Sequence, residues 1–485
     1  MEYKMLAKTF KGLEEVLAKE LVDLGANEVQ IERRAVSFVG DKALMYRANL
    51  ELRTASRILK PVNNFRAKDA DEVYEKVKMM QWDEFLSVDS TFAIDATVYS
   101  ESFRHSGYVT YRVKDAIADY FVEKTGKRPS VKVSNPDVMI NVHIAGEEVT
   151  ISLDSSGESL HKRGWREATT EAPINEALAA GLLLLSGWKG QCDLYDPLCG
   201  SGTFLIEAAM IALGIAPGIY RSSFAFEKWP DFDAELFNEI YNDDSREREF
   251  NFHIYGSDAS FYCTKVAEKN VQSAGLQKYV SVKMCRVQEF KPETQNAFVI
   301  TNPPYGQRLG ADADICTLYR EIGNELKQQF AGSTAWIISS NEDALKCIGL
   351  KPSRRIPILN GDLDCHFNQY ELFSGDHKEY KTALAEGRIE KKEGSDYQHH
   401  KYQTHHRSDS APKSYRRPHR EDDEKKPFRR DDERKPFRKD GEERRGFRGS
   451  DDRKPFRKDG DRRKFGHDDN VNRGGRRPYG KDSDR

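Results

Sequence analysis

Four consecutive residues, Asn302-Pro303-Pro304-Tyr305, follow a run, AFVIT (297–301), that reads as a buried strand. The two prolines remove backbone donors and fix φ, leaving carbonyls that can accept from another molecule. Asn302 adds an amide oxygen, a further acceptor, and Tyr305 adds a flat face. Acceptors beside an aromatic platform suit the exocyclic NH₂ of a base stacked on the ring. Such an amine is a weak nucleophile because its lone pair is delocalised into the base. Accepting its N–H groups while holding the nitrogen in line with a methyl donor favours a pyramidal, nucleophilic nitrogen, and no tuned general base is needed. Guanine, adenine and cytosine all satisfy this chemistry. The plain alternative is a rigid loop capping a strand, but with Pro at about 5% of residues a chance NPPY at the end of a core strand is the weaker explanation.

A second constellation, Asp196-Pro197-Leu198-Cys199-Gly200-Ser201-Gly202-Thr203, joins a short strand to an apolar helix. Glycines at such a turn let backbone approach a ligand closely, and the helix start offers free N–H donors. The dinucleotide fingerprint is absent: Leu205 stands where it wants its third small residue, and the acid ending the next strand, Asp258, comes much later. Taken alone, the G-x-G fits a tight turn equally well.

The elements that must position these residues follow from periodicity. From about residue 190 strands and helices alternate: 192–196 (strand), 203–213 (helix), 253–258 (strand), 260–274 (helix), 280–284 and 297–301 (strands), 314–330 (helix) and 334–340 (strand). This predicts a parallel, doubly wound α/β sheet, interrupted by an aromatic, acidic insertion over 214–250. Before about residue 155 the pattern is mixed: strands at 3–8, 28–39, 91–98, 138–144 and 148–153, helices at 12–24, 41–50 and 109–123. One or two small α+β units are expected there.

Beyond about residue 385 aliphatic residues are sparse, and segment 421–485 holds 23 Lys or Arg against 18 Asp or Glu. The chain totals −2, so an acidic body of −7 over 1–420 carries a mildly basic tail. Phe recurs there every 9 or 10 residues in units such as KKPFRR (425–430) and RKPFRK (434–439). A period so short without aliphatic content buries no core, so the reading is a disordered tail suited to weak, multivalent RNA contact. Seven cysteines, an odd number without C-x-x-C, point to reduced thiols and exclude a zinc frame. The N-terminus has no secretory h-region and the longest apolar run, near Leu178–Leu185, is too short to span a bilayer, so the expectation is a cytoplasmic protein with no membrane partner. His399-His400 and His405-His406 read as solvated residues, and no metal is expected.

In that order, DPLCGSGT, YGSD, TNPPYGQRLG and NGDLDC resemble the bacterial large-subunit ribosomal RNA guanine-N2 methyltransferases, which carry an N-terminal THUMP RNA-binding region. NLELRTASRIL (49–59) and SGESLHKRGWREATTEAPINEALAAGLL (156–183) resemble the same family, and the likeness covers roughly residues 1–375. It implies a Rossmann-like class I methyltransferase domain over 156–380, preceded by a ferredoxin-like part (1–48) and a THUMP domain (49–155), with the charged tail at 381–485. It also implies S-adenosylmethionine as cofactor, with Asp196, Gly200 and Gly202 lining its methionine side and Asp258 taking the ribose hydroxyls. Asn302 and Pro303 would then hold the target amine, with Pro304 keeping the turn rigid and Tyr305 stacking the base.

The chain departs from the family at the adenine contact, where an acid is usual and Arg286 stands, followed by Val287 and Gln288. That contact passes to Gln288 or to backbone at Val287. Lys162, Arg163, Trp165 and Arg166 form a basic, aromatic segment suited to phosphate and base contact, or to a structural link. The implied partner is RNA, foremost 23S ribosomal RNA or a large-subunit precursor; oligomeric state is left open. A transfer-RNA guanine-N2 methyltransferase is the rival enzyme, and a non-catalytic RNA-binding or ribosome-assembly factor is the rival of another class.

Overall fold

A computed structural model describes residues 2–103, 105–294, 296–306 and 315–373. The tail repeats and the paired histidines lie outside these residues.

The first 154 residues fold around one sheet. Its strands are β1 (Tyr3–Lys8), β2 (Asn27–Glu32), β3 (Ala35–Gly40), β4 (Arg57–Arg66), β5 (Thr91–Tyr99), β6 (Ser130–Val131), β7 (Val138–Ala145) and β8 (Glu148–Asp154), in the order β2-β3-β1-β4-β8-β7-β5-β6. Helices α1 (Glu14–Asp23), α2 (Lys42–Glu51), α3 (Ala70–Lys78) and α4 (Ser106–Thr125) cover it with apolar stripes. β4 is the joint, pairing antiparallel with β1 on one edge and β8 on the other. The expected division at residue 48 therefore falls inside α2, beside a continuous sheet.

The second sheet contains β9 (Leu194–Asp196), β10 (Ile254–Asp258), β11 (Val280–Met284), β12 (Phe298–Thr301), β13 (Thr334–Ser339), β14 (Arg354–Asn360) and β15 (Leu363–Glu371), ordered β11-β10-β9-β12-β13-β15-β14. Five strands run parallel, as the alternation predicts, and β15 runs antiparallel to both neighbours. Around it pack α5 (Glu176–Ser186), α6 (Thr203–Leu213), α8 (Phe261–Ser273), α9 (Ile315–Gln329) and α10 (Glu342–Cys347); α7 (Ala234–Tyr241) lies in the insertion. Every residue of α6 is buried, which explains why its sequence shows no polar face.

The insertion is a clamp. Phe224, Phe226, Trp229 and Phe237 leave the catalytic half and bury themselves in the N-terminal core. Tyr46 of α2 stacks on Phe226 at 4.4 Å between centroids, and its hydroxyl accepts from the Asp233 N–H at 3.0 Å.

One expectation fails in this fold: Cys316 and Cys347 form a disulfide, although all cysteines were expected as thiols. Packing of α9 on α10 brings the two Cα atoms to 5.5 Å, inside disulfide range, and a separation of 31 residues leaves no signal in sequence. Among the described residues no helix is long and apolar enough to cross a membrane.

Candidate active site

β9 and β12 are parallel neighbours at the place where strand order reverses. Their outgoing connections diverge, opening a crevice beyond the carboxyl ends of the strands, where ligands of open α/β sheets bind. Asp196 closes β9 and Thr301 closes β12. The Thr301 hydroxyl donates to Asp196 Oδ1 at 2.7 Å, and the Leu198 N–H donates to the same oxygen at 3.2 Å. Burial pushes the Asp196 carboxyl up to about 7; these two bonds oppose the shift and the nearby Asp258 adds to it. Thr301 was not expected to take part, though its place at the end of the strand was visible.

The glycine loop follows from backbone chemistry. Gly202, at φ +81°, is the N-cap of α6, and a Cβ there would stand 3.2 Å from the Ala267 Cβ of α8. Gly200, at φ +53°, donates its N–H to Asp258 Oδ2 at 3.2 Å. The other Asp258 oxygen accepts from the Ser260 N–H at 2.9 Å. Each carboxylate oxygen has a lone pair left over, so Asp258 can still accept from a diol. At the end of β11 the Cys285 N–H bonds the Asp258 carbonyl, Val287 is a buried apolar wall, and Arg286 and Gln288 are exposed. Backbone donors, an acid and an apolar wall suit a nucleoside carrying an amino-acid chain.

On the other side of the crevice, Asn302 and Tyr305 meet directly. The Tyr305 hydroxyl donates to Asn302 Oδ1 at 2.7 Å and accepts from Asn360 Nδ2 at 3.2 Å. Asn341 Nδ2 donates to the Tyr305 carbonyl at 3.0 Å. The Pro304 carbonyl accepts from the Tyr319 hydroxyl at 3.2 Å, so of the two proline carbonyls expected as acceptors this one already has a donor. Tyr305, expected as an open platform, is half-buried against the catalytic core, and burial drives its phenol far above the usual range. Asn341 and Tyr319 were missed because they come from later elements that no motif links, whereas Asn360 opens the NGDLDC motif and only its bond to Tyr305 was unforeseen.

The basic segment divides. Lys162 is exposed. Arg163 and Trp165, which sequence allows either to face RNA or to form a structural link, are buried at 2% and 1% exposure. Arg163 Nε pairs with Glu207 of α6 at 3.2 Å, and its other nitrogens donate to the Leu160 and Arg53 carbonyls. This is a structural link between the halves, because a helix buried on all sides must neutralise its one acid. Arg166 pairs with Glu176 at 2.6 Å and donates to Ser201 Oγ and Thr203 Oγ1, bracing the glycine loop.

Residues 163–369 match the family model described as the RMKL-like methyltransferase domain. Residues 67–154 match the THUMP domain and residues 4–59 the RlmL ferredoxin-like domain. A putative RNA methyltransferase of Synechocystis sp. is 39% identical over 369 residues, spanning 76% of this chain and 96% of that protein. This chain belongs to the RMKL-like methyltransferase family. Among further RMKL-like relatives, ribosomal RNA large subunit methyltransferase K/L of Marinomonas sp. is 36% identical over 379 residues, 76% of this chain but 52% of that protein. The chain thus spans about half the length of that K/L relative. SMU.472, a putative methyltransferase crystallised with SAH, superposes with a TM-score of 0.70 at 30% identity, covering 77% of this chain and 99% of that one.

Proposed function

We propose that this RMKL-like methyltransferase transfers the methyl group of S-adenosylmethionine to the exocyclic N2 amine of a guanine in large-subunit (23S) ribosomal RNA, in the cytoplasm. The observation that carries the reading is the junction of Asp196 and Thr301-Asn302-Pro303 at the reversal of strand order, which sets an amine-accepting corner beside the glycine loop. S-adenosylmethionine supplies an electrophilic methyl group on a sulfonium. Gly200, Gly202 and Asp196 would line its amino-acid end, Asp258 would accept from its ribose hydroxyls, and Val287 would face its adenine.

For the target base, Asn302 Oδ1 and the Pro303 carbonyl would accept the two N–H bonds, turning the nitrogen lone pair toward the methyl group. Asn302 Oδ1 already accepts from the Tyr305 hydroxyl, and its second lone pair remains for the amine. A guanine amine inside an RNA helix is out of reach, so the base is expected to flip out, at about a few kcal/mol. The THUMP domain supports RNA as the substrate, and the K/L name of several relatives supports the large subunit. Mass spectrometry of nucleosides from each ribosomal RNA and from transfer RNA, with and without the gene, tests the reading. Loss of N2-methylguanosine from 23S RNA is expected. Its loss from transfer RNA alone would transfer the assignment to the rival substrate, and loss of N6-methyladenosine would end the guanine reading.

A further inference from the structure

Where the 158–166 link meets the start of the insertion, the surface opens into a cavity of about 330 Å³. A water occupies about 30 Å³ in the liquid, so this space admits a polyatomic group. Its wall carries four cations, Lys162, Arg163, Arg166 and Arg221, against two carboxylates, Glu158 and Glu176. Three of the cations have acid partners: Lys162 with Glu158, Arg166 with Glu176, and Arg163 with Glu207 behind the wall.

Arg221 differs. Its terminal nitrogens donate to the carbonyls of Ser156, Glu158, Ser159 and Lys162 at 2.7–3.3 Å, and no described carboxylate lies within ion-pair distance. Its Nε is buried without a hydrogen-bond partner. Burial lowers Arg221 to about 10; the charges of Glu158 and Asp154 oppose the shift, and Arg163 and Arg57 add like-charge repulsion. The guanidinium lies 5.0 Å from the centroid of the Phe224 ring and forms no ion pair with a described carboxylate, so its charge is left to attract an anion in the cavity. Beside it, Ser222 and Ser223 are exposed and line the cavity. The close approach that builds the place is real: a Cβ on Gly164 would fall 2.1 Å from the Tyr220 carbonyl oxygen.

We propose that this cavity seats a phosphate of the substrate RNA backbone, held by Lys162 and the Ser222 and Ser223 hydroxyls over the positive charge of Arg221, whose terminal nitrogens already donate to backbone carbonyls. The site communicates with the chemistry through Arg166, which forms cavity wall on one side and bonds Ser201 and Thr203 of the glycine loop on the other. Phosphate contacts fix register without reading sequence, so a seat here would set how far along the strand the flipped base lies from the RNA held by the THUMP domain.

The inference rests on RNA being the substrate. The test uses the full chain and two surface variants that leave Arg221 in place, Ser222→Asp/Ser223→Asp and Lys162→Gln. Affinity for a large-subunit RNA fragment is measured against salt, together with S-adenosylmethionine affinity and melting temperature. For the double variant the expected result is RNA binding weaker by about tenfold, with a log–log salt slope reduced by about one; Lys162→Gln reduces the slope in the same sense. Cofactor affinity and melting stay at wild-type values. RNA affinity and slope equal to wild type in both variants would overturn the seat. So would cofactor affinity falling in step with RNA, which would assign the cavity to the cofactor. A third contrary outcome is binding of inorganic phosphate that the double variant abolishes while RNA binding is untouched; the site would then serve a free anion. Failure of the wild-type protein itself to bind RNA would instead remove the substrate reading on which the seat depends.

Discussion

Replacing Arg163 by Met separates a structural role from an RNA-facing one. The substitution keeps the apolar stem and removes a guanidinium from a pair whose side chains are 1% and 0% exposed. Burial already pushes the Glu207 carboxyl up, and Arg163 is the largest influence opposing that shift. Without Arg163 the acid stays charged and uncompensated inside the joint or takes up a proton there. Removing one partner of a buried pair costs about 3–5 kcal/mol. The bonds to the Leu160 and Arg53 carbonyls go too, at about 1 kcal/mol each, though neighbouring losses do not simply add. Arg163→Met should therefore lower the unfolding free energy by about 4 kcal/mol, read from the first transition in urea by Trp fluorescence. The double variant Arg163→Met/Glu207→Leu removes both charges and should regain part of that loss: Arg53 gives up Glu207, the larger charge supporting it, but keeps Glu20. A single variant less than about 1 kcal/mol weaker than wild type, yet poorer at binding RNA, would refute the structural account and restore Arg163 to the RNA surface.

Three further outcomes are expected. Asn302→Ala should abolish turnover in a radiolabelled methyl-transfer assay while leaving cofactor affinity nearly intact, since its acceptor acts on the nitrogen in the transition state; near wild-type kcat would remove NPPY from the chemistry. Tyr305→Phe keeps the ring and frees Asn302 Oδ1 from the phenol, so KM for RNA should fall or hold while kcat stays within about threefold, a shift under about 0.7 kcal/mol; a loss as deep as that of Asn302→Ala would mean the hydroxyl itself serves the reaction. Asp196 is held at about 7 in the fold against an ordinary 3.8. Its folded value is raised, so the stability it contributes is full below about pH 4 and is lost as pH rises toward 7. The penalty reaches at most on the order of 4 kcal/mol. Asp196→Asn should flatten this part of the stability-versus-pH curve, and parallel curves for the two proteins would contradict the assignment.

Much of the catalytic sheet was legible because its strands are short apolar runs and its helices 3.6-periodic. Helix α6, predicted over 203–213, is Thr203–Leu213 in the structure. The strand pair β14 and β15 was not, because LDCHFNQYE mixes polar and apolar residues and gets its order from β13 on one side and the edge strand β14 on the other. β4 escaped notice for a related reason: Pro61 and two asparagines interrupt it, and a register shift there absorbs the irregularity. In the site, residues contiguous in sequence were readable and those brought in by tertiary packing were not. NPPY, the glycine loop and NGDLDC announced themselves, whereas Asn341, Tyr319 and the part played by Asn360 within NGDLDC gain meaning only once three elements converge on Tyr305. The basic segment left both readings open because LHKRGWRE looks identical whether its arginines meet RNA phosphates or a buried glutamate; only the burial of Glu207 decides.

The aromatic clamp has a bearing on how this protein could be taken apart. Four large rings of the catalytic half complete the interior of the other half, and Gly218 donates its N–H to the Leu50 carbonyl across the same seam. An RNA-recognition module usually behaves as a cassette, portable between enzymes through a linker. Here the cassette is missing a piece that its neighbour keeps. A chimera cut near residue 155 would leave one partner with a socket and the other with an unsheathed plug, each inclined to aggregate. Grafting would succeed only if residues 214–250 travelled with the N-terminal half, or if its socket were refilled. Recombination between paralogues would face the same rule.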